Sequence, residues 1–191
     1  GKHPKMKINI QSKDFGKTSI DLEYRKMFGN RQLNLRGFAG IFLYNNTSND
    51  YFSFALDRPT DYLFEYNYYG RSESTGLFSQ QMILKEGAFK SKLDHRFANN
   101  WMITGNASFN IWNWIEAYGD VGLLQNFTKN PAFVYDSGIR LNLVPDYFEL
   151  YFPMYSSNGW EVGQSNYSEK IRFIVTLSPS VLVNLFTRKW F

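Results

Sequence analysis

The chain has 191 residues and no cysteine, so it is long enough for one domain and can form neither a disulfide nor a thiolate metal site. Its formal charge of +4 comes from basic and acidic residues that are interspersed, which argues against a nucleic-acid interface. Aromatic residues make up 19% of the chain, more than a soluble core of this size needs and typical of the aromatic girdles of membrane β-barrels.

The first half of the chain alternates apolar and polar residues with a period of two, which predicts β-strands. Strands are predicted at residues 6–10, 18–25, 33–44, 51–57 and 62–69, and on both sides of Glu86-Gly87. If residues 77–95 form one bulged strand instead, the strand count falls by one. No signal peptide precedes the first strand, so we expect a fragment of a longer exported polypeptide.

The clearest strand covers residues 101–112, and similar alternation follows at 133–144 and 171–177. The length of the strand at residues 101–112 fits the ~9–11 residues of a transmembrane strand better than the ~5–6 of a soluble one. Short breaks, such as Gly29-Asn30, Asn113 and Pro145-Asp146, alternate with longer polar ones, such as residues 45–50 and 125–131. This is the pattern of an up-and-down bacterial barrel with tight periplasmic turns and long outer loops.

We therefore predict an all-β, antiparallel, up-and-down transmembrane β-barrel of about 12 strands (10–12), built from residues 1–178. The alternative is a soluble lipocalin-like barrel or sandwich, which alternation alone does not exclude. The predicted lipid-facing residues are Trp101, Ile103, Ala107, Phe109, Ile111, Phe133, Tyr135, Ile139, Leu141, Ile171, Phe173 and Val175. The predicted lumen-facing residues are Thr104, Asn106, Ser108, Asn110, Asp136, Arg140 and Asn142.

The tail has a different period. Ser178-Pro179 resembles a helix N-cap followed by a first-turn proline, and Leu182, Leu185 and Phe186 recur at helical spacing. We predict a short amphipathic helix over residues 179–191 that lies at the membrane interface. The alternative is a turn followed by a closing strand that ends at Phe191.

The sequence contains no catalytic motif. The two histidines, His3 and His95, do not form a zinc-binding pair, and no nucleophile elbow or phosphate loop is present. The strand glycines Gly105, Gly119, Gly122 and Gly138 are expected to relieve crowding or mark bulges. We expect no catalytic residue, no cofactor and no metal site. The least favoured hypothesis is a membrane-embedded hydrolase with His95 as its base.

Three segments carry a resemblance: residues 147–157, residues 167–173 and the ending at 186–191. They resemble the C-terminal region of large gluzincin-type zinc aminopeptidase homologues of outer-membrane bacteria, most clearly over roughly the last quarter of the chain. The resemblance implies a membrane-embedded companion to a peptidase-like domain. It implies no zinc ligand or catalytic glutamate here, because no position matches that motif.

These observations predict an outer-membrane barrel domain that anchors or scaffolds a larger peptidase-like protein or complex. Its expected partners are outer-membrane lipid and other protein domains or subunits, and no nucleic acid. The alternative function is a small-solute channel that passes through the polar lumen. About twelve strands leave an interior between the filled barrels of ~8 strands and the open ones of ~16.

Overall fold

A computed structural model of the chain describes residues 3–9, 14–47, 52–58, 60, 76–82, 86–144 and 148–175. These residues form an all-β fold dominated by one nine-stranded antiparallel sheet, so the predicted class is confirmed. Within the described ranges, helix is limited to the 3₁₀ turn Leu77–Gln80 and the four-residue helix α1, Tyr167–Lys170.

The strands of the large sheet are long and follow one another as a meander. They are β1 (His3–Asn9), β2 (Phe15–Phe28), β3 (Arg31–Asn45), β6 (Trp101–Trp112), β7 (Ile115–Gln125), β8 (Ala132–Val144), β9 (Phe148–Ser156), β10 (Gly159–Trp160) and β11 (Arg172–Val175). The order is β1-β2-β3-β6-β7-β8-β9, and β9 pairs with both β10 and β11. Two short strands, β4 (Phe54–Ala55) and β5 (Phe97–Ala98), pair with each other outside this sheet.

The two ends of the sheet differ in their connections. At one end, here called the hairpin end, tight turns at Gly29-Asn30 and Asn113-Trp114 join β2 to β3 and β6 to β7. Gly29 has a φ of 60°, a conformation that glycine adopts without steric strain. At the opposite end, here called the loop end, longer connections join β3 to β6 and β7 to β8. The predicted turns at Gly29-Asn30 and Asn113 are confirmed, whereas Pro145-Asp146 lies outside the described residues.

Residues 52–58 and 86–98 pack together against one face of the sheet, and we call them the inner plug. Hydrogen bonds from Leu56 N to Arg96 O and from Phe89 N to Leu56 O join its two segments, over 2.9 Å and 2.8 Å. The main hydrophobic core lies between plug and sheet. Its buried members are Phe38, Phe42, Phe54, Leu56, Phe89, Leu93, Ala98, Met102, Leu124 and Val134.

The predicted strands at 18–25, 33–44, 101–112 and 133–144 are confirmed. The sheet strand predicted at 51–57 is wrong, because among its described residues, 52–57, only Phe54–Ala55 is strand and it belongs to the inner plug. The strand predicted after Glu86-Gly87 is also wrong. Glu86 and Ala88 have φ values of 49° and 56°, which interrupt an extended chain, and the apolar residues that follow are buried against the sheet.

The sheet is open within the described part of the chain. No described strand joins β1 at one edge to β10 or β11 at the other. Nine strands are therefore observed in the sheet, and the expected number of about twelve is not confirmed. The strand predicted at 62–69 and the helix predicted at 179–191 lie outside the described residues.

Candidate functional site: an apolar outer face and a charged inner face

The face of the sheet that points away from the inner plug, the outer face, is apolar. Its positions on β6, β7 and β8 alternate with plug-facing positions and carry no charged side chain. Many of these side chains are exposed, including Ile103 at 53%, Val121 at 52% and Phe133 at 60%. Exposed apolar side chains therefore lie on neighbouring strands of this one face.

The predicted lipid-facing residues of β6 and β8 all occupy this outer face. Ile103, Ala107, Ile111 and Phe133 are exposed. The half-buried remainder are Trp101, Phe109, Tyr135, Ile139, Leu141, Ile171, Phe173 and Val175. In β11, the register places Phe173 and Val175 beside Leu150 and Phe148, whereas Ile171 lies just before the strand.

Aromatic side chains lie near both ends of the outer face. At the loop end, Phe133, Tyr135, Tyr155 and Trp160 form a continuous run in which neighbouring ring centroids are 6.0, 5.5 and 6.5 Å apart. At the hairpin end, the exposed aromatic side chains are Phe28, Trp112 and Trp114. Two aromatic zones therefore flank a central apolar band on the same face.

The opposite, plug-facing surface, or inner face, carries the charged residues of β6, β7 and β8. Of the predicted lumen-facing residues, Thr104 and Asp136 are buried at 3% and 2% exposure. The half-buried ones are Asn106, Ser108, Asn110, Arg140 and Asn142. All seven occupy inner-face positions of β6 and β8, on the side that contacts the plug.

A chain of polar contacts crosses four strands on the inner face and ends on the plug. Arg36 pairs with Asp21 at 2.7 Å and donates to Asn106 Oδ1 at 3.1 Å. The Asn106 amide donates in turn to Asp120 Oδ1 at 2.9 Å. Lys90 of the plug donates to both oxygens of Asp120, at 2.7 and 2.8 Å. The ammonium of the plug therefore neutralises a carboxylate whose side chain is fully buried.

A neighbouring carboxylate, Asp136, fixes the backbone of the plug. Its Oδ2 accepts hydrogen bonds from the backbone N–H groups of Lys90 and Ser91, at 2.9 and 2.7 Å. A separate group lies wholly within the sheet: Arg140 pairs with Glu116 at 2.6 Å and with Glu149 at 3.6 Å. The inner-face charges are thus largely engaged with one another.

The sequence predicts strands on both sides of a break at Glu86-Gly87, and it therefore does not predict that Lys90 and its segment form the plug. The sequence does contain a signal for the plug in the two inner-face carboxylates Asp120 and Asp136. A buried carboxylate needs a cation or several hydrogen-bond donors as partners. A second plug contact lies at Glu86, which accepts hydrogen bonds from Ala55 N and Thr60 N at 2.6 and 3.1 Å. Burial raises the pKa of Glu86, although the charge of Lys17 and the Thr60 hydroxyl act in the opposite direction.

Two inner-face glycines make room for plug phenylalanines. A Cβ atom on Gly40 would lie 2.7 Å from the Phe54 ring, and one on Gly122 would lie 3.2 Å from the Phe89 ring. The expectation that Gly122 relieves crowding is therefore confirmed. On the outer face, a Cβ on Gly37 would meet no atom within 4 Å. A side chain at position 40 would therefore clash with the plug, and one at position 122 would crowd it.

The described residues contain no cluster of three or more His, Asp or Glu side chains that could hold a metal ion. His95 lies on the plug segment and is exposed. Within the described ranges, no helix combines the length and the apolar composition needed to cross a membrane. No family model, curated protein or solved structure matches this chain.

Proposed function

We propose that this chain is the β-barrel domain of a bacterial outer-membrane protein and acts as a membrane anchor or scaffold for an attached domain or complex. The observation that carries the proposal is the inverted arrangement of the sheet. Apolar side chains such as Ile103 and Val121 are exposed, whereas Asp120 and Asp136 are buried on the other face. In a soluble sheet the apolar side chains are buried and the charged ones are exposed. In a transmembrane barrel the apolar side chains face outwards and the charged ones face the interior, as in this sheet.

The dimensions of the outer face agree with a bilayer. The twelve residues of β6, separated by eleven rises of ~3.4 Å and tilted by ~40°, span roughly 29 Å along the membrane normal. Trp101 and Trp112 bound this strand, and tryptophan prefers the interface between headgroups and hydrocarbon. The apolar band between the aromatic zones is therefore comparable in height with the band of ~25 Å that is usual for outer-membrane barrels.

Two further features of the barrel are the closure of its sheet and the number of its strands. Backbone groups at an open sheet edge cannot remain unpaired in hydrocarbon, so a membrane-embedded form of this sheet has to close. We propose that it closes with about twelve strands and that segments outside the described residues, or other parts of a longer polypeptide, supply the remaining ones. Because the C-terminal segments resemble those of peptidase homologues, we propose that the attached domain is peptidase-like.

The charged inner face supports an anchor more than a solute channel. Lys90, Arg36 and Arg140 each pair with a carboxylate of the chain, and the plug occupies the space over the loop-end half of the sheet. Side chains that neutralise each other inside a packed interior offer few free groups to a passing solute. The role of these paired side chains in an anchor is to fill and stiffen the barrel.

The test is partition between water and lipid. The chain is refolded by dilution from denaturant in the presence of lipid vesicles and, in parallel, without lipid or detergent. We expect it to float with the vesicles on a density gradient and to be released by detergent but not by high salt or alkaline carbonate. A folded, soluble monomer in the lipid-free sample would overturn the proposal.

A further inference from the structure

Along the inner face of β2, β3 and β6, burial changes from one end of the strands to the other. Near the loop end, inner-face residues of five neighbouring strands are buried beneath the plug. They are Lys17, Ser19, Phe38, Phe42, Met102, Thr104, Asp120, Leu124, Val134 and Asp136. The face is therefore closed to water where the long connections lie.

The closure at the loop end is close-packed and apolar. The Phe54 and Phe89 rings lie directly over the Gly40 and Gly122 backbones, and Leu56 and Leu93 are 1% and 2% exposed. Lys90 adds a buried ion pair to Asp120. Moving the plug would expose these apolar side chains to water and break the ion pair, so the closure is a permanent part of the fold rather than a gate.

Near the hairpin end, the inner face of β2, β3 and β6 is open and polar, and we call this surface the vestibule. Its residues are the exposed Glu23, Arg25 and Met27 and the half-buried Gln32, Asn34, Ser108 and Asn110. Asn34 donates to Ser108 Oγ at 3.1 Å, and the Gln32 backbone N–H donates to Asn110 Oδ1 at 3.2 Å. Polar groups at this depth of a barrel need water to complete their hydrogen bonds.

We propose that the lumen is blind: the plug seals it on the loop side, and water enters it only through the vestibule on the hairpin side. This inference rests on the proposed membrane location. Since tight turns of outer-membrane barrels face the periplasm, the vestibule is a periplasmic cavity, and no solute path leads from it to the cell exterior.

The absence of cysteine from the chain permits a test by single-cysteine labelling. Four variants sample the four environments: Ser108→Cys in the vestibule, Ser91→Cys in the plug, Asn30→Cys in a hairpin turn and Lys129→Cys in a loop. Ser91 is 4% exposed, whereas Asn30 and Lys129 are exposed. Each variant is reconstituted in sealed vesicles, recovered by flotation, and treated from outside with a small charged maleimide that does not cross lipid.

Asn30 and Lys129 lie at opposite ends of the strands, so each molecule in the vesicle membrane exposes only one of them to the reagent. We therefore expect the labelled fractions of Asn30→Cys and Lys129→Cys to add up to the whole population, whatever the proportion of the two orientations. The labelled fraction of Ser108→Cys should equal that of Asn30→Cys. Ser91→Cys should react only after denaturation. If the Ser108 or Ser91 variant does not float, Asn110→Cys and Ser53→Cys replace it, since they sample the same two environments.

Three results would overturn the blind lumen. The first is complete labelling of both Asn30→Cys and Lys129→Cys, which means that the reagent passes through the barrel. The second is labelling of Ser108→Cys in proportion to Lys129→Cys, and the third is labelling of Ser91→Cys in the folded protein. Failure of the proposed membrane location looks different. In that case even the unmodified chain does not float with vesicles.

Discussion

Single glycines decide whether the inner plug can seat against the sheet. Gly37 and Gly40 lie on the same strand, three residues apart, and therefore point to opposite faces. A side chain at position 40 would occupy the space of the Phe54 ring, whereas one at position 37 would enter open space on the outer face. The same residue type thus has a packing role at one position and none at the other.

The Gly40→Val substitution should lower the free energy of unfolding by about 1–3 kcal/mol, because it overpacks a close contact between β3 and Phe54. Gly37→Val is the matched control and should change stability little or raise it, since valine favours strands. Denaturant titration in detergent micelles measures both. Equal effects of the two substitutions would mean that Phe54 does not rest on Gly40.

The Glu86 carboxyl makes the stability of the plug depend on pH. Burial raises the pKa of Glu86 in the folded chain above its value in the unfolded chain. A group with a raised folded pKa binds protons more tightly when the protein is folded, so its contribution is full at low pH and is lost as pH rises through the raised pKa. The hydrogen bonds from Ala55 and Thr60 reduce this effect without reversing it.

The free energy of unfolding of the unmodified chain, relative to Glu86→Gln, should therefore fall as pH rises above the ordinary glutamate pKa of about 4.3. Glutamine keeps the shape of the protonated acid and does not titrate, so the difference between the two proteins isolates this group. Denaturant titrations at several pH values provide the measurement. A difference that stays constant, or grows with pH, would contradict the raised pKa.

At the scale of the elements, buried ion pairs fasten the plug to the sheet: Lys90 pairs with Asp120, and Asp57 pairs with Arg172 of β11. Lys90 and Asp120 have side-chain exposures of 7% and 0%. The pair Arg36–Asp21 lies on the same inner face, but its side chains are 15% and 32% exposed. Water screens the Arg36–Asp21 pair and not the Lys90–Asp120 pair, so these two pairs differ in what their loss should cost.

Asp120→Asn should destabilise the fold by about 3–5 kcal/mol, because it leaves the Lys90 ammonium buried without its carboxylate. The same chemical change at Asp21 should cost no more than about 1 kcal/mol, the range of partly exposed pairs. The two variants are compared by denaturant titration under one set of conditions. A small loss for Asp120→Asn would indicate that the neighbouring Asp136 takes over the pairing with Lys90.

The elements that could be predicted from the sequence are those whose signal is local. The strand Trp101–Trp112 alternates apolar and polar residues throughout, so its extent and its two faces follow from the sequence. The plug could not be predicted in this way. Its residues are fixed by partners distant in the chain, as Phe89 is by Gly122 and Lys90 by Asp120, and no local period records such contacts.

At the scale of the whole molecule, the proposed location predicts that the cost of a charge on the outer face depends on depth. Val121 lies near the middle of β7 and is 52% exposed, whereas Ile111 lies near the end of β6 and is 47% exposed. Their similar exposure makes them a matched pair. In water, arginine at either exposed position would change stability by no more than about 0.5 kcal/mol.

In a bilayer, Val121→Arg should lower the free energy of unfolding by about 2–4 kcal/mol, because the charge sits near the midplane, and Ile111→Arg by about 0–1 kcal/mol. The measurement is reversible unfolding by denaturant in lipid vesicles. It is repeated in detergent micelles, where the less rigid apolar layer should reduce the difference between the two variants. Equal and small losses in vesicles would mean that the outer face meets water or a protein surface, and the membrane location would then be wrong.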